Sequence, residues 1–176
     1  MTAHLGPLEL VGDRWIIGDP KRKNGSCLVL SAEGMEHHEA GTTEPLDFVP
    51  WHRFMEVRVK ATTRAWLATR TGGVLDTFGG YTQIGGRSAC SVRGLVRHPY
   101  EDWSVNYTHH ERPYTSSHVF LVGELFHKTS AEAKAAHRLG DPEWLGEAVT
   151  RLATLPVRWA PSASRRVTEI IKDLGT

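Results

Sequence analysis

The sequence predicts an α+β domain in which a curved antiparallel sheet, or partial barrel, is followed by C-terminal helices. Two observations carry that prediction. Short apolar segments separated by turn residues fill residues 1–114, one of them with a strict two-residue period, and after Pro113 the apolar spacing changes to three and four. A chain of 176 residues can bury about two-thirds of its unfolded surface around one core. It therefore reads as a single domain, 1–176, with a strand-rich part, 1–114, and a helical part, 115–176. With 40% hydrophobic and 23% charged residues, the composition is that of a folding globular chain rather than a disordered or fibrous one.

The run Ser26, Cys27, Leu28, Val29, Leu30 lies between the turn signals Asn24-Gly25 and Glu33-Gly34, which marks a buried strand. Met35 to Glu39 returns as a second extended segment, giving a hairpin at Glu33-Gly34, and ends in the polar turn Ala40 to Pro45. Trp51 to Ala61 alternates, with Met55, Val57, Val59 and Ala61 on one face and Phe54, Glu56, Arg58 and Lys60 on the other. Ala65 to Thr69, Ala89 to Val96 and the alternating Trp103, Val105 and Tyr107 add further strands. Between two of these, Thr71 to Gly86 holds three Gly-Gly pairs, so it is expected to be a mobile loop or a set of tight turns.

Helical signals follow Pro113. Ser116 or Ser117 can cap a helix through Phe126, and Ser130 can cap a second one to His137, with Gly140 as its stop. Asp141-Pro142 is a helix start, because aspartate accepts from free amides and proline is tolerated in the first turn. Trp144, Leu145, Ala148, Val149 and Leu152 then form an apolar stripe. Pro156 and Pro161 bracket a break, and Ser164 can cap a last helix whose stripe is Val167, Ile170, Ile171 and Leu174.

The same residues limit the function. MTAHLGPLELVGDRW lacks the basic start and apolar core of a secretory leader, and no apolar run approaches the roughly 18 residues of a membrane span, so the expected location is the cytoplasm. Cys27 and Cys90 both sit in apolar, strand-like surroundings, the habitat of a small buried thiol, so a reduced state is expected, while geometry and not sequence decides whether they form a disulfide. Charge is uneven. Residues 1–50 carry four basic and eight acidic side chains, a net −4; residues 51–100 carry eight and two, a net +6; residues 101–176 carry nine and ten, a net −1. The basic middle either presents an anion-binding face or pairs internally with the acidic first third.

Arg64, Arg70, Arg87, Arg93 and Arg97 flank the glycine-rich stretch, where exposed amides can approach an anion, although no P-loop pattern is present. Near-zero net charge and the lack of a recognisable DNA-binding motif argue against nucleic acid. Trp51, Trp66, Trp103, Trp144 and Trp159 either fill the core, as most tryptophans do, or line an apolar pocket. The histidine pairs His37-His38 and His109-His110, with His52, His98 and His118 and the carboxylates Glu39, Glu101 and Asp102, are the raw material of a zinc or iron site. No HExxH, CxxC or HxH spacing supports one, and neighbours on a strand point to opposite faces. Cys90 with His98 is a nucleophile and base on paper, but Cys90 falls at a core position and no Gly-x-Ser-x-Gly elbow occurs.

The stretch Leu28 to Val59, with the turn Ser31-Ala32-Glu33-Gly34-Met35 and Val49-Pro50-Trp51 leading into Phe54-Met55-Glu56-Val57-Arg58-Val59, resembles the first strands of bacterial pleckstrin-homology-like domains. The resemblance implies a small curved barrel closed by a helix and a role in binding or scaffolding. Arg97-His-Pro-Tyr-Glu-Asp-Trp103 and His137-Arg-Leu-Gly-Asp-Pro-Glu-Trp-Leu145 resemble uncharacterised proteins of streptomycete-type actinobacteria, which implies no function. The resulting expectation is a non-enzymatic binding module for a protein partner or a small anionic or apolar ligand, needing no cofactor and no metal and able to self-associate. Its candidate ligand-binding residues are Arg70, Arg87, Arg93, Arg97, Trp51 and Trp103. The alternative is a small metal-assisted enzyme that uses histidines of the Tyr107 to His118 stretch beside Glu101 and Asp102.

Overall fold

Hydrophobic alternation and turn chemistry give two antiparallel sheets followed by three helices in the computed structural model, which describes residues 3–63, 90–132 and 135–175. The first sheet is a meander in chain order: β1 (His4–Leu5), β2 (Leu8–Val11), β3 (Arg14–Ile17), β4 (Ser26–Leu30), β5 (Gly34–Glu39) and β6 (Asp47–Pro50). The second is β7 (Phe54–Lys60), β8 (Ser91–Val96) and β9 (Glu101–Asn106). The α+β class and the β4–β5 hairpin, with Leu30 opposite Met35, are as the sequence predicts. The first three strands are an addition. Their two-residue turns are Gly6-Pro7 and Gly12-Asp13, with Gly6 at φ +59° and Gly12 at φ +66°, values that suit glycine.

Leu5, Leu8, Trp15, Ile17, Leu28, Met35 and Val49 of the first sheet and Val57, Val59, Val92 and Val96 of the second bury into one cluster. The sheets are stitched where β9 runs on past its end. Thr108 N–H donates to the Ser26 carbonyl at 2.8 Å, Ser26 N–H to Thr108 Oγ1 at 2.8 Å, and Asp19 N–H to the Thr108 carbonyl at 3.0 Å. Among the described residues the strands form two sheets and no closed barrel.

Helix α1 (Ser116–Ala131) packs along β7. Ser130 Oγ accepts the Val57 N–H at 2.7 Å and donates to the Phe126 carbonyl at 2.7 Å, so a backbone donor on the edge of β7 that no described strand pairs is satisfied by a helix. Ser130 is thus the last turn of α1 and not the cap of a second helix, because a strand amide distant in sequence claims its hydroxyl. The cap of α1 is Thr115, whose Oγ1 accepts the His118 N–H at 3.2 Å, one residue before the serines expected there. Asp141 caps α2 (Pro142–Ala153) as predicted, taking the amides of Glu143 at 3.0 Å and Trp144 at 3.1 Å. Its stripe buries Leu145, Ala148, Val149 and Leu152. Trp15 packs beneath α2 and donates from Nε1 to the Pro142 carbonyl.

Helix α3 (Ala160–Asp173) starts before Ser164, which lies inside it and bonds Glu124 of α1 instead of capping. Val167 and Ile171 are buried, whereas Ile170 and Leu174 are half-buried at the margin of the core.

One strand departs from the predicted faces. A bulge between Phe54 and Glu56 shifts the register of β7 on β8, so Phe54 turns inward at 4% exposure and Met55 outward at 41%. Gly94 makes room for it, since a Cβ there would lie 2.5 Å from the Phe54 ring. Trp51–Arg53 forms a 3-10 turn before this strand. A second 3-10 turn, Ala136–Gly140, presses on it so closely that a Cβ on Gly140 would stand 2.1 Å from the Ser31 carbonyl oxygen and 2.3 Å from the Trp51 indole nitrogen. The expected strand Ala65 to Thr69 and the glycine-rich stretch Thr71 to Gly86 lie outside the described residues.

Candidate functional site

The register of the second sheet sorts its side chains into two rows of opposite character. Val57, Gly94 and Trp103 face the core side by side; one residue along, Arg58, Arg93 and Ser104 stand together on the outer face, followed by Lys60, Ser91 and Asn106. Arg58 and Arg93 are direct cross-strand partners, and both are exposed. Like charges directly opposite one another destabilise a sheet. Arg58 is partly neutralised by an ion pair with Glu56, but no carboxylate among the described residues pairs with Arg93. Burial and then the charge of Arg93 hold the Lys60 ammonium below its usual range. A groove of about 490 Å³ over this face is lined by Arg58 and Arg93, by the carboxylates Glu56 and Asp102, and by Leu95, Trp103 and Ser104.

A second, smaller cleft of about 230 Å³ opens where the turn Trp51–Arg53, the end of β8 and the turn Ala136–Gly140 converge. Trp51, Phe54 and Ala136 line it together with Ser130, His52, Arg97 and His137. Arg97 is anchored from its Nε to the His52 carbonyl at 3.0 Å, and Arg53 donates to the Arg97 carbonyl at 3.1 Å and to Glu101 at 3.0 Å.

The predicted ligand residues are thus divided. Trp51 and Arg97 meet at the cleft, where the Trp51 indole is 2% exposed and donates to the Ser31 carbonyl at 2.7 Å. Arg93 and Trp103 both line the groove of the second sheet, from neighbouring strands and with side chains on opposite faces: the Trp103 ring packs edge-on against Phe54 at 5.6 Å and its N–H bonds Asp47. Arg70 and Arg87, with Arg64 and Trp66, lie outside the described residues. Arg58, Lys60 and His137 are not singled out as ligand residues in sequence, and His52 is named there only as a candidate metal ligand. The two-residue period already put Arg58 and Lys60 on a polar face, and only the register of β8 joins them to Arg93.

The histidines of the enzyme alternative are spread apart. His109 and His110 are buried, with His109 Nε2 2.8 Å from the Thr62 carbonyl oxygen and its ring stacked on Tyr114 at 4.8 Å. His110 donates from Nε2 to the Pro7 carbonyl at 3.1 Å, and its Nδ1 lies 3.9 Å from Glu9, which Arg112 holds at 2.9 Å. Glu101 binds Arg53 before β7, whereas His109 sits against Thr62 after it. His38 pairs with Glu36 at 2.8 Å on the first sheet. Among the described residues no three histidine, cysteine or carboxylate side chains converge as a metal site. Both cysteines are free and buried. Burial, and then Asp19, push the Cys27 thiol up to about 11, and burial pushes Cys90 up as well, the reverse of an activated nucleophile.

No family model, curated protein or solved structure matches the chain. No helix among the described residues is long and apolar enough to cross a membrane.

Proposed function

We propose that this protein is a non-enzymatic, cytoplasmic binding module that engages an anionic group of a protein partner or small molecule on the outer face of its second sheet. The observation that carries this reading is the cross-strand pair Arg58 and Arg93, with Lys60 beside it on an exposed face. A sheet loses stability by placing these cations together, and an anion bridging them recovers it through charge-assisted hydrogen bonds. The +6 balance of residues 51–100 supports the same assignment. So does the resemblance of Leu28 to Val59 to pleckstrin-homology-like domains, a family that serves mainly in binding and scaffolding. Nucleic acid is a poor fit for so short a basic row on a chain of net charge +1.

Phosphocellulose chromatography tests the reading. The full chain should be retained at low salt and released as salt rises, since exposed charges are screened over about 10 Å at 0.1 M. Arg93→Ala and Arg58→Ala should elute earlier, while Arg151→Ala, which removes an exposed cation paired with Glu147 on α2, should not. No retention at low salt, or equal shifts for all three variants, would overturn the assignment.

A further inference from the structure

The cleft beside Trp51 has a chemistry that the sheet face lacks. Its wall is apolar: the Trp51 and Phe54 rings stand 5.9 Å apart at 45°, and Ala136 completes the surface. Arg97 supplies a permanent cation, His52 and His137 flank it, and no carboxylate is among the described lining residues. The Nε of Arg97 is committed to the His52 carbonyl, which fixes the base of the guanidinium. No hydrogen bond among the described residues takes up its terminal N–H groups, because the neighbouring Glu101 is held by Arg53. An anchored guanidinium with a free fork is the geometry that receives a planar carboxylate. The volume of about 230 Å³ falls below the roughly 300 to 1,000 Å³ of clefts that take drug-sized ligands, so the occupant is small.

We propose that this cleft binds a small monocarboxylic acid with a flat or short apolar body, its carboxylate on Arg97 and its body against Trp51, Phe54 and Ala136. The site is separate from the cationic sheet face and stands or falls independently of it. Benzoate is a suitable probe, with benzamide as its neutral counterpart of the same shape. In a titration of the full chain followed by NMR, benzoate should shift the Trp51 indole and the Ala136 and Arg97 amides saturably. Benzamide should bind about tenfold more weakly, the scale of one charge-assisted hydrogen bond. Arg97→Gln should lose a similar factor, and Arg97→Lys should retain part of the affinity. Equal binding of benzamide and benzoate would overturn the proposal, as would shifts that map to Arg58 and Arg93 instead. The comparison of the two probes on the unaltered chain decides the matter even where Arg97→Gln perturbs folding.

Discussion

The two faces of β7–β9 are built from alternate residues of the same three strands, yet they obey opposite rules. On the inner face Val57, Gly94 and Trp103 are matched in size: the glycine yields space that Phe54 fills, and Trp103 closes over the ring. On the outer face, one position away, Arg58 meets Arg93, and among the described residues the contact is offset only by the Glu56 carboxylate on Arg58. An arrangement that costs stability on the same scaffold that elsewhere minimises it is the kind of local conflict that binding sites carry.

The comparison predicts unequal responses to mutation. Phe54→Ala should cost about 3–5 kcal/mol in urea unfolding, because it removes a buried ring facing Trp51, Trp103 and Gly94. Gly94→Ala should cost about 1–3 kcal/mol by forcing that ring aside, and combining it with Phe54→Leu should cost less than the two changes summed. Smallest of the three, Arg93→Thr should leave stability unchanged or raise it by roughly 0.2–1 kcal/mol, with the gain fading at high salt. A loss of stability in Arg93→Thr would mean that the outer row is structural, and the contrast between the faces would collapse.

Acid should act on the interior as well. Burial, together with Arg112, lowers the affinity of His110 and His118 for protons, with His4 also facing His118, and Pro7, Glu9 and Asp19 partly opposing the shift at His110. Both groups therefore bind protons more readily in the unfolded chain than in the folded one. Their contribution to stability is complete above their ordinary value of 6.5 and declines as pH falls below it. Thermal unfolding between pH 7.5 and 5 should show a falling midpoint, and His118→Asn should flatten the slope. An unchanged midpoint across that range would remove these histidines from the account.

Legibility in the sequence followed the range of the interaction that decides each feature. The β4–β5 hairpin and the Asp141 cap are set by neighbours and are plain from local residues. The first three strands carry equally local signals in the turns Gly6-Pro7 and Gly12-Asp13. The inward turn of Phe54 was not legible, because the bulge exists only against β8, and Ser130 resembled a cap because nothing nearby reveals that Val57 claims its hydroxyl. For the candidate sites, residue type pointed to Arg93, Arg97 and Trp51, while the pairing of Arg58 with Arg93 and the gathering of Trp51, Arg97 and Ala136 depend on tertiary register.

The stitch at Ser26 and Thr108 predicts an order of events. In the first sheet every strand pairs with its neighbour in the chain, so that sheet can grow one hairpin at a time with little loop closure. Ser26 and Thr108 are 82 residues apart, and their bonds are rewarded only after that closure has been completed. The seam should therefore form after the rate-limiting step of folding. Thr108→Val, which deletes the side-chain acceptor for the Ser26 amide, should leave the refolding rate nearly unchanged and accelerate unfolding in stopped-flow measurements. In kinetic terms that outcome would make the protein a self-assembling meander whose lifetime is governed by a late clasp.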